Sequence, residues 1–136
     1  MDKGRVYIND DGDTKGFLDN SKILNKEGLK RKDHFLIAMG LGYKIGSKIP
    51  FDSGKTALFF RHDFNEDDLS LIYALAVKDT GDVKVVSDSD KVISIAEDYA
   101  NTGFKYLMKI EKETSLEKQD KEFEKMVVNQ IKELNL

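Results

Sequence analysis

Three apolar blocks with helical periodicity limit what this chain can fold into more than any other feature. They begin near residues 32, 66 and 90, and in each block apolar side chains recur every three or four residues. This spacing puts them on one face of an α-helix, which is stable only when buried against another element. The clearest members are Phe35, Leu36, Met39 and Tyr43; Leu69, Ile72, Tyr73, Ala76 and Val77; and Val92, Ile95, Ala96, Tyr99, Tyr106, Leu107 and Ile110.

The ends of the first two helices carry recognisable signals. Asn65 followed by Asp68 predicts a capping box at the start of the second helix, and Gly81 predicts its end. The first helix is expected to begin near Lys32 or Asp33, with Asp33 as N-cap or first-turn acid.

Glycines inside the helical blocks allow two interpretations. Gly42 and Gly46 are expected to mark the end of the first helix, although Gly40 and Gly42 would also let a neighbouring helix approach closely. The third helix is expected to run from about residue 90 to 111, with a weak point at Gly103 that bends or splits it.

These patterns predict a mostly α-helical, single compact domain of four or five helices. One short strand or hairpin is expected near the N-terminus or at residues 56–60, where Val6 and Ile8, or Phe59 and Phe60, supply apolar side chains. The predicted organisation is an N-terminal arm at 1–30, a helical core at 31–111 and an amphipathic C-terminal helix at 114–136.

Composition excludes several classes of protein. The chain of 136 residues is 40% hydrophobic, so it can bury a core, and it has no cysteine for a disulfide, a thiolate metal site or a cysteine nucleophile. It has no apolar run of the ~20 residues that span a bilayer. We therefore expect a soluble cytoplasmic protein with no membrane association, no metal and no cofactor.

Charge is segregated along the chain. Residues 22–61 hold nine basic and three acidic side chains, a net +6 that leaves −9 for the remainder of a chain with net charge −3. Such a segment could form a local positive face for DNA phosphates, although a solvated lysine-rich surface is the plainer interpretation. The candidate DNA-binding residues are Lys30, Arg31, Lys32, Lys44, Lys48 and Arg61.

The sequence matches to catalytic motifs are weak. Gly54, Lys55 and Thr56 match the end of a phosphate-binding loop, but Ile49 stands where its first glycine belongs and Pro50 has no N–H to donate. His62 and Glu97 could act as acid–base groups, yet no nucleophile is evident beside them. The sequence therefore predicts no catalytic residues and a protein that is not an enzyme.

The C-terminal segment offers a second candidate surface. Its apolar side chains fall on one face of a predicted helix. This helix either folds back onto the core or pairs with another subunit, which could be a second copy of the chain in a homo-oligomer. The candidate partner-binding residues are Phe123, Met126, Val127, Ile131 and Leu134.

Residues 32–110 resemble small proteins associated with DNA phosphorothioation (Dnd) systems. The similarity rests on the segments at 38–43, at 71–76 leading to Thr80, Gly81 and Asp82, and at 95–103, where Thr102 departs from the family pattern. The C-terminal helix lies outside it. The resemblance implies an accessory role in DNA modification or restriction, in defence against phage, and supplies no catalytic residues.

Two hypotheses follow from the sequence. The first is a non-enzymatic accessory protein that binds DNA or a DNA-bound partner of such a system. The alternative is a protein–protein adaptor or assembly subunit that docks through its C-terminal helix without contacting DNA.

Overall fold

The computed structural model describes residues 4–21, 24–25, 28–113, 125–130 and 132, and most of them are helical. The elements are β1 (Arg5–Asn9), α1 (Gly12–Asn20), α2 (Arg31–Ile45), β2 (Lys55–Phe60), α3 (Glu66–Thr80), α4 (Ser89–Glu113) and a last helix, α5, at 125–130. Short 3-10 turns lie at Arg61–Asp63 and Val83–Ser87. The predicted mostly α-helical class and the number of helices are confirmed.

The capping signals explain where α3 begins and ends. The Asn65 side chain accepts the Asp68 N–H at 2.8 Å, and the Asp68 carboxylate accepts the Asn65 N–H at 2.9 Å. Gly81 then adopts a left-handed φ of 69°, which a glycine reaches without steric cost. Both predicted ends are confirmed.

Helix α2 begins one residue earlier than expected and ends later than Gly42. Asp33 is a first-turn acid whose carboxylate accepts the Lys30 N–H at 2.8 Å. Gly46, with φ 84°, ends the helix, whereas Gly42 lies inside it. The expected close neighbour at Gly42 is confirmed, because the Tyr99 carbonyl of α4 lies against it.

Helix α4 runs unbroken from Ser89 to Glu113, so the expected split at Gly103 is wrong. Gly103 is instead the place where the Ala38 carbonyl of α2 approaches α4. The Asn101 side chain donates to the Ile49 carbonyl at 2.9 Å and ties the segment after α2 to α4. What looks like a weak point in the sequence is a packing position.

Both candidate strand segments form strands, and they pair with each other. β1 and β2 are antiparallel, with Arg5 opposite Phe60 and Asn9 opposite Lys55. The strands come from distant parts of the chain and are not a local hairpin. Residues 4–21 of the predicted arm form β1 and α1, and these bury Val6, Ile8, Phe17 and Leu18 in the core.

The core lies where α2 and α4 pack together and where β2 covers α2. The Phe35 ring packs edge-on against Phe59, with centroids 5.7 Å apart, and at a tilt against Phe64, with centroids 6.0 Å apart. His34, on the same helix, is fully buried and bonded to the Leu24 carbonyl through Nε2. Burial lowers the pKa of His34, so the neutral imidazole is the form that packs.

Part of the C-terminal helix folds back onto this core. Val127 is 3% exposed and Met126 packs against the core, whereas the candidates Phe123, Ile131 and Leu134 lie outside the described residues. Within the described residues, no helix is both long and apolar enough to cross a membrane.

Candidate nucleic-acid interface

The cations predicted at the start of α2 are engaged in ion pairs. Arg31 contacts Asp19 of α1 at 2.6 Å and donates to the Leu18 carbonyl at 2.9 Å. Lys32 contacts Asp68 of α3 at 2.6 Å, and both of these side chains are largely buried. These two charges hold α1 and α3 against α2, and each is offset by a neighbouring carboxylate.

Arg61 and Lys48 are engaged in the same way. Arg61 is 8% exposed, and its guanidinium contacts Asp90 at 2.8 Å and donates to the Arg5 carbonyl at 3.1 Å. Lys48 contacts Asp79 at 2.9 Å. Arg31, Lys32, Lys48 and Arg61 therefore all have acidic partners within the protein.

Asp79 also binds the Tyr99 hydroxyl, at 2.6 Å. Burial, and then this hydrogen bond to a carboxylate, raises the pKa of Tyr99 to about 12. The Lys48–Asp79–Tyr99 cluster thus fastens the segment after α2 to α3 and α4, which is a structural use of Lys48.

The acidic partners of four predicted cations are spread over several elements of the fold. Their acidic partners lie on α1, at both ends of α3 and at the start of α4. Lys30 and Lys44 stand at opposite ends of α2, roughly 20 Å apart at the 1.5 Å rise per residue of an α-helix. Among the described residues of the basic segment, these four cations therefore contact carboxylates on three different helices.

Lys44 borders a groove between α2, α4 and α5, which we call the tail groove. Its volume is about 640 Å³. The apolar lining residues are Leu41, Ile45, Tyr106 and Met126, and the polar ones are Lys44, Lys125, Asn129, Gln130 and Lys132.

A smaller groove of about 330 Å³ adjoins it between α2 and α3, and we call it the α3 groove. The two grooves share Lys44 and Gln130, and the α3 groove adds Lys78. Four lysines therefore line the two adjoining grooves, and none of the described lining residues is acidic. All the charged residues among the described lining of the two grooves are therefore lysines.

Of these four lysines, only Lys44 is among the candidate DNA-binding residues predicted from the sequence. Lys125, Asn129 and Lys132 are spaced at i, i+4 and i+7, which places them on one face of a helix and is a signal that could have been found. Lys78 lies on α3, and its position beside Lys44 depends on how the helices pack.

The side chains considered for catalysis are used in other ways. The His62 ring stacks on Phe60 with centroids 5.0 Å apart, and Glu97 accepts the Tyr7 N–H at 2.7 Å. Asp52 and Ser53 donate their N–H groups to the Asn9 side chain. Across the described residues, no group of three or more His, Asp or Glu side chains is arranged to hold a metal ion.

The fold and these grooves define a small, mostly α-helical protein with a lysine-rich depression between its helices. The family model for DNA sulphur modification system-associated protein 4 matches residues 27–133, and the chain belongs to that family. The resemblance noted in the sequence is confirmed. The match reaches beyond residue 110, so the C-terminal helix, expected to lie outside the similarity, is part of the family domain.

The other two comparisons found no relatives. No curated protein and no solved structure matched the chain.

Proposed function

We propose that this protein is a non-enzymatic accessory protein of a DNA sulphur modification system and that it binds DNA. The lysines of the tail groove and the α3 groove would contact the phosphates. The observation that carries the proposal is that two adjoining grooves, with no acid among their described lining residues, are lined by Lys44, Lys78, Lys125 and Lys132. We propose DNA as the polyanion because the family is associated with a DNA sulphur modification system.

The charge distribution supports this assignment. The chain carries a net charge of −3, so DNA would be repelled by most of its surface and attracted only where cations cluster. Lysines that replace counterions on phosphates give sequence-independent affinity that falls as salt rises. Lys32, Lys48 and Arg61 already have carboxylate partners and contribute less to such an attraction.

Neutralising the groove lysines should weaken DNA binding and flatten its salt dependence. In the triple variant Lys78→Gln, Lys125→Gln, Lys132→Gln, we expect the slope of log K against log[salt] to fall by about 1 for each lysine removed. We expect the affinity at low salt to fall by about tenfold or more. Fluorescence anisotropy of a labelled DNA across a salt series measures both.

A matched variant separates the groove from net charge. Lys15→Gln, Lys84→Gln, Lys91→Gln removes the same charge from exposed positions that line neither groove, and its slope should stay close to that of the parent. Equal losses in the two triple variants, or no DNA binding by the parent at low salt, would contradict the proposal.

A protein adaptor is the second candidate function, and exposed apolar side chains of α5 and α2 favour it. With Val127 turned into the core, Val128 remains 42% exposed on the tail helix, and Ile45 is 48% exposed at the end of α2. An exposed apolar side chain on a helix is a common anchor for a partner protein.

Val128→Asp tests the adaptor function. If α5 docks on another subunit, this variant should lose at least tenfold in affinity for that subunit, because a carboxylate is costly to bury. DNA affinity should fall by no more than one added negative charge on α5 explains, since Val128 lines neither groove. Co-purification with the other proteins of the system, with light scattering for self-association, measures the loss. An unchanged assembly would rule out docking through this face.

A further inference from the structure

We propose that the tail groove binds an unpaired nucleotide, so that the protein prefers single-stranded DNA to a duplex. This inference rests on the proposed function and specifies the form of DNA. It starts from the lining, which combines three lysines with an exposed aromatic ring, aliphatic side chains and two amide side chains. An unpaired nucleotide has the complementary groups: an anionic phosphate, a flat base and polar base edges.

A duplex would leave much of this lining unused. Paired bases are stacked inside the double helix, and the backbone presents phosphates, which need cations only. Ile45 and Tyr106 are 48% and 39% exposed at the groove, so a ligand that covers them would remove apolar surface from water. The volume of about 640 Å³ falls within the range of sites that enclose small molecules.

Tyr106 is also the aromatic side chain best placed to receive a base. Phe60, the other exposed aromatic residue in the described part of the chain, has the Arg5 guanidinium 4.3 Å from its ring centroid and the His62 ring stacked on it. Tyr43 in the α3 groove packs edge-on against Tyr99 at 5.6 Å. These rings are already engaged, whereas Tyr106 faces the tail groove.

The neighbours of Tyr106 fit the remaining parts of a nucleotide. Lys125 and Lys132 lie on the face of α5 that borders the groove, and they can bind phosphates on either side of a stacked base. Asn129 lies between them, and its amide can both donate and accept hydrogen bonds at a base edge. The site therefore requires α5 as one wall and α4 as the other.

The test compares three labelled probes of equal phosphate number by fluorescence anisotropy. These are a short oligothymidine, a hairpin duplex and a strand with abasic sugars in place of nucleotides. We expect the full-length protein to bind the oligothymidine about tenfold more tightly than the other two. Tyr106→Ala should remove that preference and leave duplex and abasic binding unchanged, while Tyr106→Phe should retain it, because the ring stacks without its hydroxyl.

The outcomes separate this inference from the proposed function. If all three probes bind equally and Tyr106→Ala changes nothing, the stacking site is refuted, and DNA binding through phosphates stands. If none of them binds at low salt, both proposals fail. Competition by polyglutamate as strong as that by oligothymidine would also overturn the inference, since it would show that the groove takes any acidic chain. Circular-dichroism melting of the Tyr106 variants confirms that each is folded.

Discussion

Replacing Gly103 with alanine is expected to lower the free energy of unfolding by about 3 kcal/mol or more. A Cβ at this position would overlap the Ala38 carbonyl oxygen and would lie 2.7 Å from the Ala38 Cα. Both atoms belong to the backbone of α2, so no side-chain rotation can relieve the overlap. The two helices would have to separate along the centre of the core. Chemical denaturation followed by circular dichroism measures the loss.

Gly42 should behave in the same way, because the contact is reciprocal. A Cβ on Gly42 would overlap the Tyr99 carbonyl oxygen and would lie 2.7 Å from the Tyr99 carbonyl carbon. Gly42 lies four residues after Ala38, and Gly103 lies four residues after Tyr99. Each helix thus presents a carbonyl to the glycine of the other. Alanine at both positions should leave the chain unfolded, since marginal stabilities of about 5–15 kcal/mol are typical.

Gly16→Ala is the matched control. Gly16 lies within α1, and a Cβ there would meet nothing within 4 Å. Alanine favours a helix interior over glycine by up to about 1 kcal/mol, so this variant should be as stable as the parent or more stable. A Gly103→Ala protein with parental stability would show that α2 and α4 do not pack as closely as described.

Local sequence signals predicted the helices because their causes are local. Asn65 and Asp68 cap α3 through hydrogen bonds that span three residues, and Gly81 ends α3 through its own backbone conformation. The apolar stripes likewise depend only on helical spacing.

Contacts between distant segments could not be predicted in this way. Nothing near Arg5 indicates that it lies opposite Phe60, and a glycine such as Gly103 looks the same in sequence whether it weakens a helix or admits a neighbour. Only helix packing reveals the close approach.

At the candidate site, too, local sequence signals were visible, whereas contacts between distant residues were not. A basic segment was visible in the sequence, but the pairing of Lys32 with Asp68 and of Arg61 with Asp90 joins residues 29 or more positions apart. The two grooves draw Lys44, Lys78 and Lys125 from three helices. Charge counted along the chain therefore identified Lys44 but not the lysines of α3 and α5 that line the same grooves.

Glu97 gives the fold an unusual dependence on pH. This carboxyl lies on α4 beneath β1, where it accepts the Tyr7 N–H. The backbone N–H groups of a β-strand point alternately toward and away from the paired strand. The Asp10 N–H bonds to the Gly54 carbonyl just beyond β2. The Tyr7 N–H, three residues earlier, therefore points away from β2. Burial raises the pKa of Glu97 to about 7, although the Tyr7 hydrogen bond and the nearby charges of Arg61 and Lys55 oppose the rise.

The sign of the effect follows from proton binding. The pKa of Glu97 is 4.5 in the unfolded chain and about 7 in the folded protein. Between these two pH values, the folded protein holds a proton on Glu97 that the unfolded chain has lost. The stability contributed by this group is therefore present at low pH and is lost as the pH rises to about 7. At 1.36 kcal/mol for each pKa unit, the loss is up to about 3 kcal/mol.

Burial lowers the pKa of His34, and its effect has the opposite sign. The stability that His34 contributes is lost as the pH falls below 6.5, the pKa of this histidine in the unfolded chain. Glu97 and His34 change the stability over overlapping pH ranges, so a substitution is needed to measure the Glu97 contribution alone.

Glu97→Gln should remove the loss of stability on the alkaline side. The glutamine carbonyl can still accept the Tyr7 N–H, but it does not ionise and needs no dehydration of a charge. Between pH 5 and pH 8, we expect the parent to lose up to about 3 kcal/mol more than the variant, with His34 contributing equally to both. Urea unfolding at the two pH values measures the difference. If the pH dependence of Glu97→Gln is the same as that of the parent, the Glu97 carboxyl is already ionised in the folded protein at pH 5.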